Sequence, residues 1–140
     1  MTFDSLYIAR AVYGAEGLLN LLGGGITRLN AEVLPWREPS LSVVARFFLD
    51  RSDLSREHDV DVRVTMPSGK ELAYLSFPLT PEALEPLAAD TVPGELLAVH
   101  LIGDMRGLRF NEEGVHSFVV FVNNEEQYRY PLPVVLRHPA

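Results

Sequence analysis

The sequence contains no cysteine and only one lysine, Lys70. The absence of cysteine excludes disulfide bonds, thiolate nucleophiles and every zinc or iron–sulfur site that needs Cys ligands. With eleven scattered arginines and a net charge of −7, the chain also lacks the clustered positive charge that nucleic-acid phosphates require. No apolar run approaches the ~20 residues of a membrane span, and no basic region precedes an apolar one near Met1, as a signal peptide requires. We therefore expect a cytoplasmic protein that binds neither nucleic acid nor membrane.

Two hairpins dominate the sequence pattern. Residues 58–66 alternate between apolar and polar side chains, and residues 71–79 return with the same two-residue period after the turn Pro67–Gly69. Residues 114–122 and 125–133 form the second pair, with a reversal at Asn123 and Asn124. Such hairpins predict antiparallel sheets. The 140 residues are expected to form one domain, residues 1–140, with a single core.

Five further segments have the composition of strands, namely residues 5–13, 17–22, 26–33, 41–49 and 95–102. Only residues 80–89 favour a helix, with Thr80 as N-cap and Pro81 at the first position, and we expect Pro86 to limit it to a single turn. The pattern predicts an all-β fold, an immunoglobulin-like antiparallel β-sandwich of seven to nine strands with little or no helix. A closed barrel is the alternative. Because Pro131 and Pro133 cannot donate to a neighbour, the last strand should be an edge.

Three motifs carry a resemblance to a known family. They are Tyr7-Ile8-Ala9-Arg10, the run from Gly17 to Ile26, and Gly114-x-His-x-Phe. Together they resemble a family of small uncharacterised bacterial single-domain β-sandwich proteins, over nearly the whole chain. The resemblance implies a sandwich of unknown function and transfers no catalytic residue or cofactor. In that family a Tyr usually follows the turn glycine by two positions, where this chain has His116.

An acidic segment surrounds the connection between residues 49 and 58. Calcium takes six to eight oxygen ligands, which sandwich loops can supply. The spacing does not match an EF-hand, and neighbouring arginines offset the charge, so a solvated loop is the simpler interpretation. The candidate ligands are Asp50, Asp53, Glu57, Asp59 and Asp61.

Other chemical signatures are weak. The triple glycine Gly23–Gly25 precedes a strand-like segment instead of the helix of a phosphate loop, which indicates a bend. The histidines His58, His100, His116 and His138 have no metal-ligand spacing, although His100 and His116 lie in predicted strands and could meet in the fold. We predict no enzyme activity and no cofactor.

The remaining candidate is an apolar outer face on the last hairpin. If His116, Phe118 and Val120 face the core, then Val119 and Phe121 face away from it. Outward apolar residues indicate a contact surface, unless other segments of the chain cover them. Trp36, in a proline-bounded loop, is a second candidate anchor. The leading hypothesis is a protein-binding or assembly module whose partner is another protein or a second copy in a homodimer. The alternative is a sandwich that binds a small ligand or calcium at residues 50–61.

Overall fold

The protein was analysed as a computed structural model that describes residues 1–15 and 18–137. Glu16 and Gly17, the second of which begins the predicted strand 17–22, lie outside the described residues, as does His138. The strands are β1 (Thr2–Ala9), β2 (Ala11–Ala15), β3 (Leu18–Leu22), β4 (Leu29–Ala31), β5 (Trp36–Glu38), β6 (Ser42–Leu49), β7 (His58–Thr65), β8 (Glu71–Leu79), β9 (Leu97–Asp104), β10 (Leu108–Phe110), β11 (Gly114–Val122) and β12 (Glu125–Leu136). A helix, α1 (Pro81–Ala88), and a short 3-10 turn (Asp53–Ser55) complete the secondary structure of the described ranges.

Two sheets enclose the core. One has the order β1-β6-β9 and the other β4-β12-β11-β7-β8, while β2–β3 and β5–β10 form separate two-stranded ribbons. All strand pairings in the described residues are antiparallel except that of β4 with β12. Side chains from both large sheets meet in one apolar cluster that includes Phe47, Phe118 and Leu132. The predicted all-β, immunoglobulin-like sandwich is confirmed, because two sheets face each other across a shared core.

The strand count differs from the prediction. The described ranges contain twelve strands instead of the expected seven to nine, because short segments pair where the sequence shows no alternation. Arg10 interrupts the predicted strand 5–13, so β1 and β2 join different sheets. The predicted strand 26–33 shortens to β4, and the three-residue strands β5 and β10 were not predicted.

Helix α1 is longer than the single turn expected. The Thr80 side chain accepts a hydrogen bond from the Ala83 N–H at 3.3 Å, which confirms the predicted N-cap. Pro86 lies inside the helix, which ends two residues later at Ala88. The proline therefore limits the helix to eight residues but does not prevent its second turn.

The last strand is an edge over only part of its length. Pro131 and Pro133 pair with β11 on one side, and β4 joins the other side only from Val134 onward. The prolines therefore occupy the part of β12 that has one neighbour. The turn between β11 and β12 forms as predicted, with Asn123 and Asn124 both at positive φ.

Glycine sets the spacing of the two sheets at one point. A Cβ on Gly103 in β9 would collide with a methyl group of Leu75 in β8 and lie 3.2 Å from Val43 Cγ1. The facing strands can approach this closely only because position 103 has no side chain. The sheets consequently meet tightly beside β8 and β9.

Candidate functional site

The outward face of β11 is not the open apolar surface expected from the sequence. In the cross-strand register Val119 lies between Arg63 of β7 and Arg129 of β12. Its side chain is only 1% exposed, although it lies outside the main core cluster. The expectation that Val119 is available for contact is therefore corrected. A central residue of a sheet loses its solvent contact when long side chains flank it on both sides.

Phe121 is covered in a related way. The guanidinium carbon of Arg63 lies 4.1 Å from the centre of the Phe121 ring, and Arg63 Nη2 also binds Asp61 Oδ2 at 3.2 Å. Phe121 is half-buried. This side of the sheet therefore presents charged groups above its apolar residues, so Phe121 is a poorer anchor than its sequence position indicated.

Trp36 is tied into the protein by its polar atom. Its Nε1–H donates to Glu38 Oε2 at 3.1 Å, and Arg10 Nη1 donates to Glu38 Oε1 at 2.6 Å. The Glu38 carboxylate is buried, and the indole ring packs at the border of the core. The packing of the indole ring and the Arg10–Glu38 ion pair therefore hold β5 against the sandwich, so Trp36 has a structural role in the fold.

Asp53 is the buried member of the acidic segment. One carboxylate oxygen lies 2.9 Å from the Met1 amino group and the other 2.9 Å from Arg56 Nη2. Burial opposes ionisation of Asp53, but hydrogen bonds from the Met1 amine and the Asp50 N–H outweigh it and hold the pKa below its ordinary value of 3.8. The carboxylate already has cationic partners on both oxygens, so it is not a free metal ligand.

The other acidic residues do not converge on Asp53. Asp50 accepts hydrogen bonds from Ser52 Oγ and the Asp53 N–H, and Asp61 pairs with Arg63. Glu57 and Asp59 are exposed. Among the described residues, which include all five candidates, no group of three metal-ligating side chains is close enough to hold an ion. The calcium hypothesis is therefore not carried further.

The three histidines in the described ranges also remain apart. His116 faces the core of the five-stranded sheet, where its ring meets Phe110 edge to face with centroids 5.1 Å apart. His100 lies in β9 on the other sheet, opposite Arg46 of β6, and His58 Nε2 lies 2.7 Å from the Asp53 carbonyl oxygen. The pair of His100 and His116 considered from the sequence therefore does not form a site.

An exposed apolar surface occurs elsewhere, on the ribbon of β2 and β3. The register places Tyr13, Leu18 and Leu22 on one face of this ribbon, and their side chains are 54%, 68% and 60% exposed. We call this face the hairpin surface. The described residues on this face include none with a charge. The sequence signal for it was the run Leu18-Leu19-Asn20-Leu21-Leu22, which was interpreted only as a strand.

The hairpin adjoins the three-stranded sheet, because β2 approaches both β6 and β9. On the outward side of that sheet, Tyr7 and Ile102 are exposed on either side of Val44, which is fully buried. Apolar groups are thus exposed both on the ribbon and on the neighbouring sheet. Outward apolar side chains of this kind are typical of interaction surfaces.

The fold and these surfaces define the class of protein: an immunoglobulin-like β-sandwich that displays an apolar β-ribbon. The chain belongs to the Family of unknown function (DUF6941), whose family model matches residues 4–135. A comparison with curated proteins found no match. A search of solved structures found an immunoglobulin-like protein from Pseudomonas aeruginosa with 14% identity and a TM-score of 0.37, covering 95% of this chain and 94% of that chain. In the described residues, no helix is long and apolar enough to cross a membrane.

Proposed function

We propose that this protein is a non-enzymatic binding or assembly module that associates with another protein through the hairpin surface. The observation that carries the proposal is the exposure of Tyr13, Leu18 and Leu22 on one face of the β2–β3 ribbon. Burying such side chains against a partner releases roughly 25 cal/mol for each Å² of apolar area removed from water. Their exposure in the isolated chain is therefore a cost that association would recover.

The charge distribution supports a protein as the partner. The hairpin surface has no arginine or lysine to contact phosphates, and the whole chain is acidic. The proposal includes a cytoplasmic location, in keeping with the lack of cysteine. Val119, Phe121 and Trp36 are replaced as contact residues. Val119 is buried, Arg63 lies over the Phe121 ring, and Trp36 is half-buried with its N–H bonded to Glu38.

The test is a capture experiment with three forms of the tagged protein. Wild type, the double variant Leu18→Glu/Leu22→Glu and the control Val115→Glu are incubated with extract from the source organism. Val115 is exposed on β11, away from the ribbon, so its substitution adds charge without touching the hairpin surface. All three must first give the same cooperative thermal unfolding.

We expect wild type and Val115→Glu to retain the same protein, or a second differently tagged copy of this chain, and the double variant to lose it. Equal retention by all three forms would contradict the proposal. Specific turnover of a small molecule by the purified protein would contradict its non-enzymatic part.

A further inference from the structure

Strand β3 has an unprotected edge. Within the described part of the chain it pairs only with β2, and its register with β2 is regular. Exposed edges in proteins are usually blocked by charge, proline, a bulge or shortness. The edge strands of the two large sheets have such features. Asp4 lies at the β1 irregularity, Pro78 lies in β8, Asp104 lies in β9, and β4 has three residues. Strand β3 carries none of these devices.

The orientation of the β3 backbone follows from one hydrogen bond. The Leu22 carbonyl accepts from the Arg10 N–H at 2.9 Å, so the polar backbone groups of Leu22 point toward the β2 side. Because these groups alternate along a strand, those of Leu19 and Leu21 point toward the free edge. This edge therefore offers two N–H donors and two carbonyl acceptors.

The sequence of β3 is symmetric about Asn20. Reading Leu18-Leu19-Asn20-Leu21-Leu22 in either direction gives the same residues. An antiparallel copy placed against the free edge, with the two-fold axis at Asn20, sets Leu19 opposite Leu21 of the partner subunit. Both residues direct their backbone groups to the edge, so two hydrogen-bonded pairs form with four hydrogen bonds. The register that pairs the free backbone N–H and carbonyl groups therefore also places each leucine side chain opposite a leucine of the second copy.

We propose that the partner of the hairpin is a second copy of this chain, joined through β3 in an antiparallel, two-fold symmetric pair. The result is a four-stranded sheet in the order β2-β3-β3-β2. This inference rests on the proposed function, because it identifies the partner of the same ribbon. In this arrangement Leu18 lies beside Leu22 of the partner subunit, and the two Asn20 side chains face each other at the axis.

The pairing closes on itself. The two-fold operation uses the free edge of β3 in both copies, and β2 at the outer side of each ribbon lies against its own β6 and β9. A dimer is therefore expected, not a filament. Because a five-residue edge buries less area than a standard interface, we expect a dissociation constant of about 10 to 100 μM.

The experiment uses charge at the two-fold axis. Asn20→Lys and Asn20→Asp each place like charges directly opposite one another, about 4.5 Å apart between Cα atoms. Val115→Lys is the matched control, because it adds the same charge as Asn20→Lys at an exposed strand residue of β11 that lies outside the hairpin surface. Masses are measured by sedimentation equilibrium up to about 500 μM, well above the expected dissociation constant, after each variant is shown to unfold cooperatively like wild type.

Wild type and Val115→Lys should dimerise. Each Asn20 variant alone should bind itself at least about tenfold more weakly, and an equimolar mixture of the two should form a heterodimer. Amide exchange gives a residue-level readout: protection of the Leu19 and Leu21 N–H groups should rise with wild-type concentration, and protection of Leu18, Asn20 and Leu22 should stay constant.

Two results would overturn the pairing. A wild type that remains monomeric at the highest concentration excludes self-association. In that case the proposed function would still stand if wild type captures a different protein from extract and Leu18→Glu/Leu22→Glu does not. If Asn20→Lys dimerises as strongly as wild type, the β3–β3 pair with its axis at Asn20 is excluded. The proposed assembly function would still stand if Leu18→Glu/Leu22→Glu dissociates that dimer.

Discussion

The guanidinium group of Arg63 lies over the ring of Phe121, with 4.1 Å between its central carbon and the ring centre. Asp61 holds the same guanidinium from the neighbouring position on β7. The aliphatic part of Arg63 and its charge together cover an outward aromatic ring that no second sheet covers. This relationship explains why the outward face of β11 is compatible with solvent.

Replacing Arg63 should expose this face. We expect Arg63→Ala to lower the free energy of unfolding by about 1 to 2 kcal/mol, because it removes both the cation–π contact and the apolar stem. Arg63→Met keeps most of the stem and should lose about half as much. Urea denaturation measures both values. Arg109→Ala, an exposed arginine on β10, is the control and should change stability by less than about 0.5 kcal/mol. Equal effects of the Ala and Met variants would show that packing contributes nothing.

The Tyr130 hydroxyl should stabilise the segment after the triple glycine. Tyr130 Oη donates to the Ile26 carbonyl at 2.6 Å, and the Ile26 N–H in turn donates to the Ile8 carbonyl at 3.0 Å. Tyr130→Phe should therefore cost about 1 kcal/mol and accelerate amide exchange at Ile26. The control is Tyr128→Phe, because Tyr128 stacks on Phe3 through its ring. Similar exchange at Ile26 in both variants would contradict this role.

A methyl group at position 103 should disturb the contact between the sheets. In Gly103→Ala the new Cβ meets a Leu75 methyl group, which can rotate, and the stiff Val43 side chain, which cannot easily move. We expect a loss of about 1 to 3 kcal/mol in denaturant unfolding. Gly14→Ala in β2 adds the same methyl group where the nearest atom is 3.8 Å away, and its cost should be clearly smaller. A Gly103→Ala protein as stable as wild type would show that the sheets can separate without penalty.

Acidification should destabilise the protein through His116. Burial lowers the pKa of His116 below its ordinary value of 6.5, and this effect exceeds the opposing ones of the Gly114 carbonyl and Glu112. Between 6.5 and the lower pKa of the folded state, the unfolded chain binds a proton that the folded chain does not. Stability is therefore complete above 6.5 and falls as the pH decreases through this window.

Unfolding free energies measured from about pH 7.5 to about pH 5, which brackets the ordinary histidine pKa, test this prediction. His116→Gln should flatten the profile relative to wild type, with at most about 1.4 kcal/mol per pH unit removed for one proton. His100→Gln is a useful comparison, because burial and then Arg46 lower the pKa of His100 as well. A wild-type profile that is flat in this range would exclude the linkage. The window of Asp53 lies below 3.8 and does not interfere.

Local patterns predicted the regular parts of the fold well. The alternation in residues 58–66 and 71–79 and the Asn123-Asn124 reversal correspond to β7, β8 and the β11–β12 turn. The apolar segment 41–49 was predicted as a strand, and it forms β6, which lies between β1 and β9. Short strands such as β5 and β10 were missed, because three residues contain too little periodicity and pair only through contacts distant in sequence.

Prediction of the candidate contact surface was less successful. The outward direction of Val119 follows from strand periodicity, but its burial depends on Arg63 and Arg129 from two other strands. Trp36 was recognised as an apolar side chain in a loop, whereas its Glu38 and Arg10 partners become visible only in the folded chain. The acidic residues of the 50–61 segment are near in sequence yet point to different partners.

The sequence by itself determined the class of fold, since two-residue periodicity, turn residues and the lack of cysteine leave a sandwich with an apolar core as the physically reasonable arrangement. Tertiary structure decided which outward residues stay in water, because exposure depends on the neighbours supplied by other strands. It covered Val119 and left Leu18 and Leu22 exposed on a ribbon whose outer edge has no neighbour within the described chain. Backbone direction at that edge was also a tertiary result, fixed by the bond from Arg10 to Leu22.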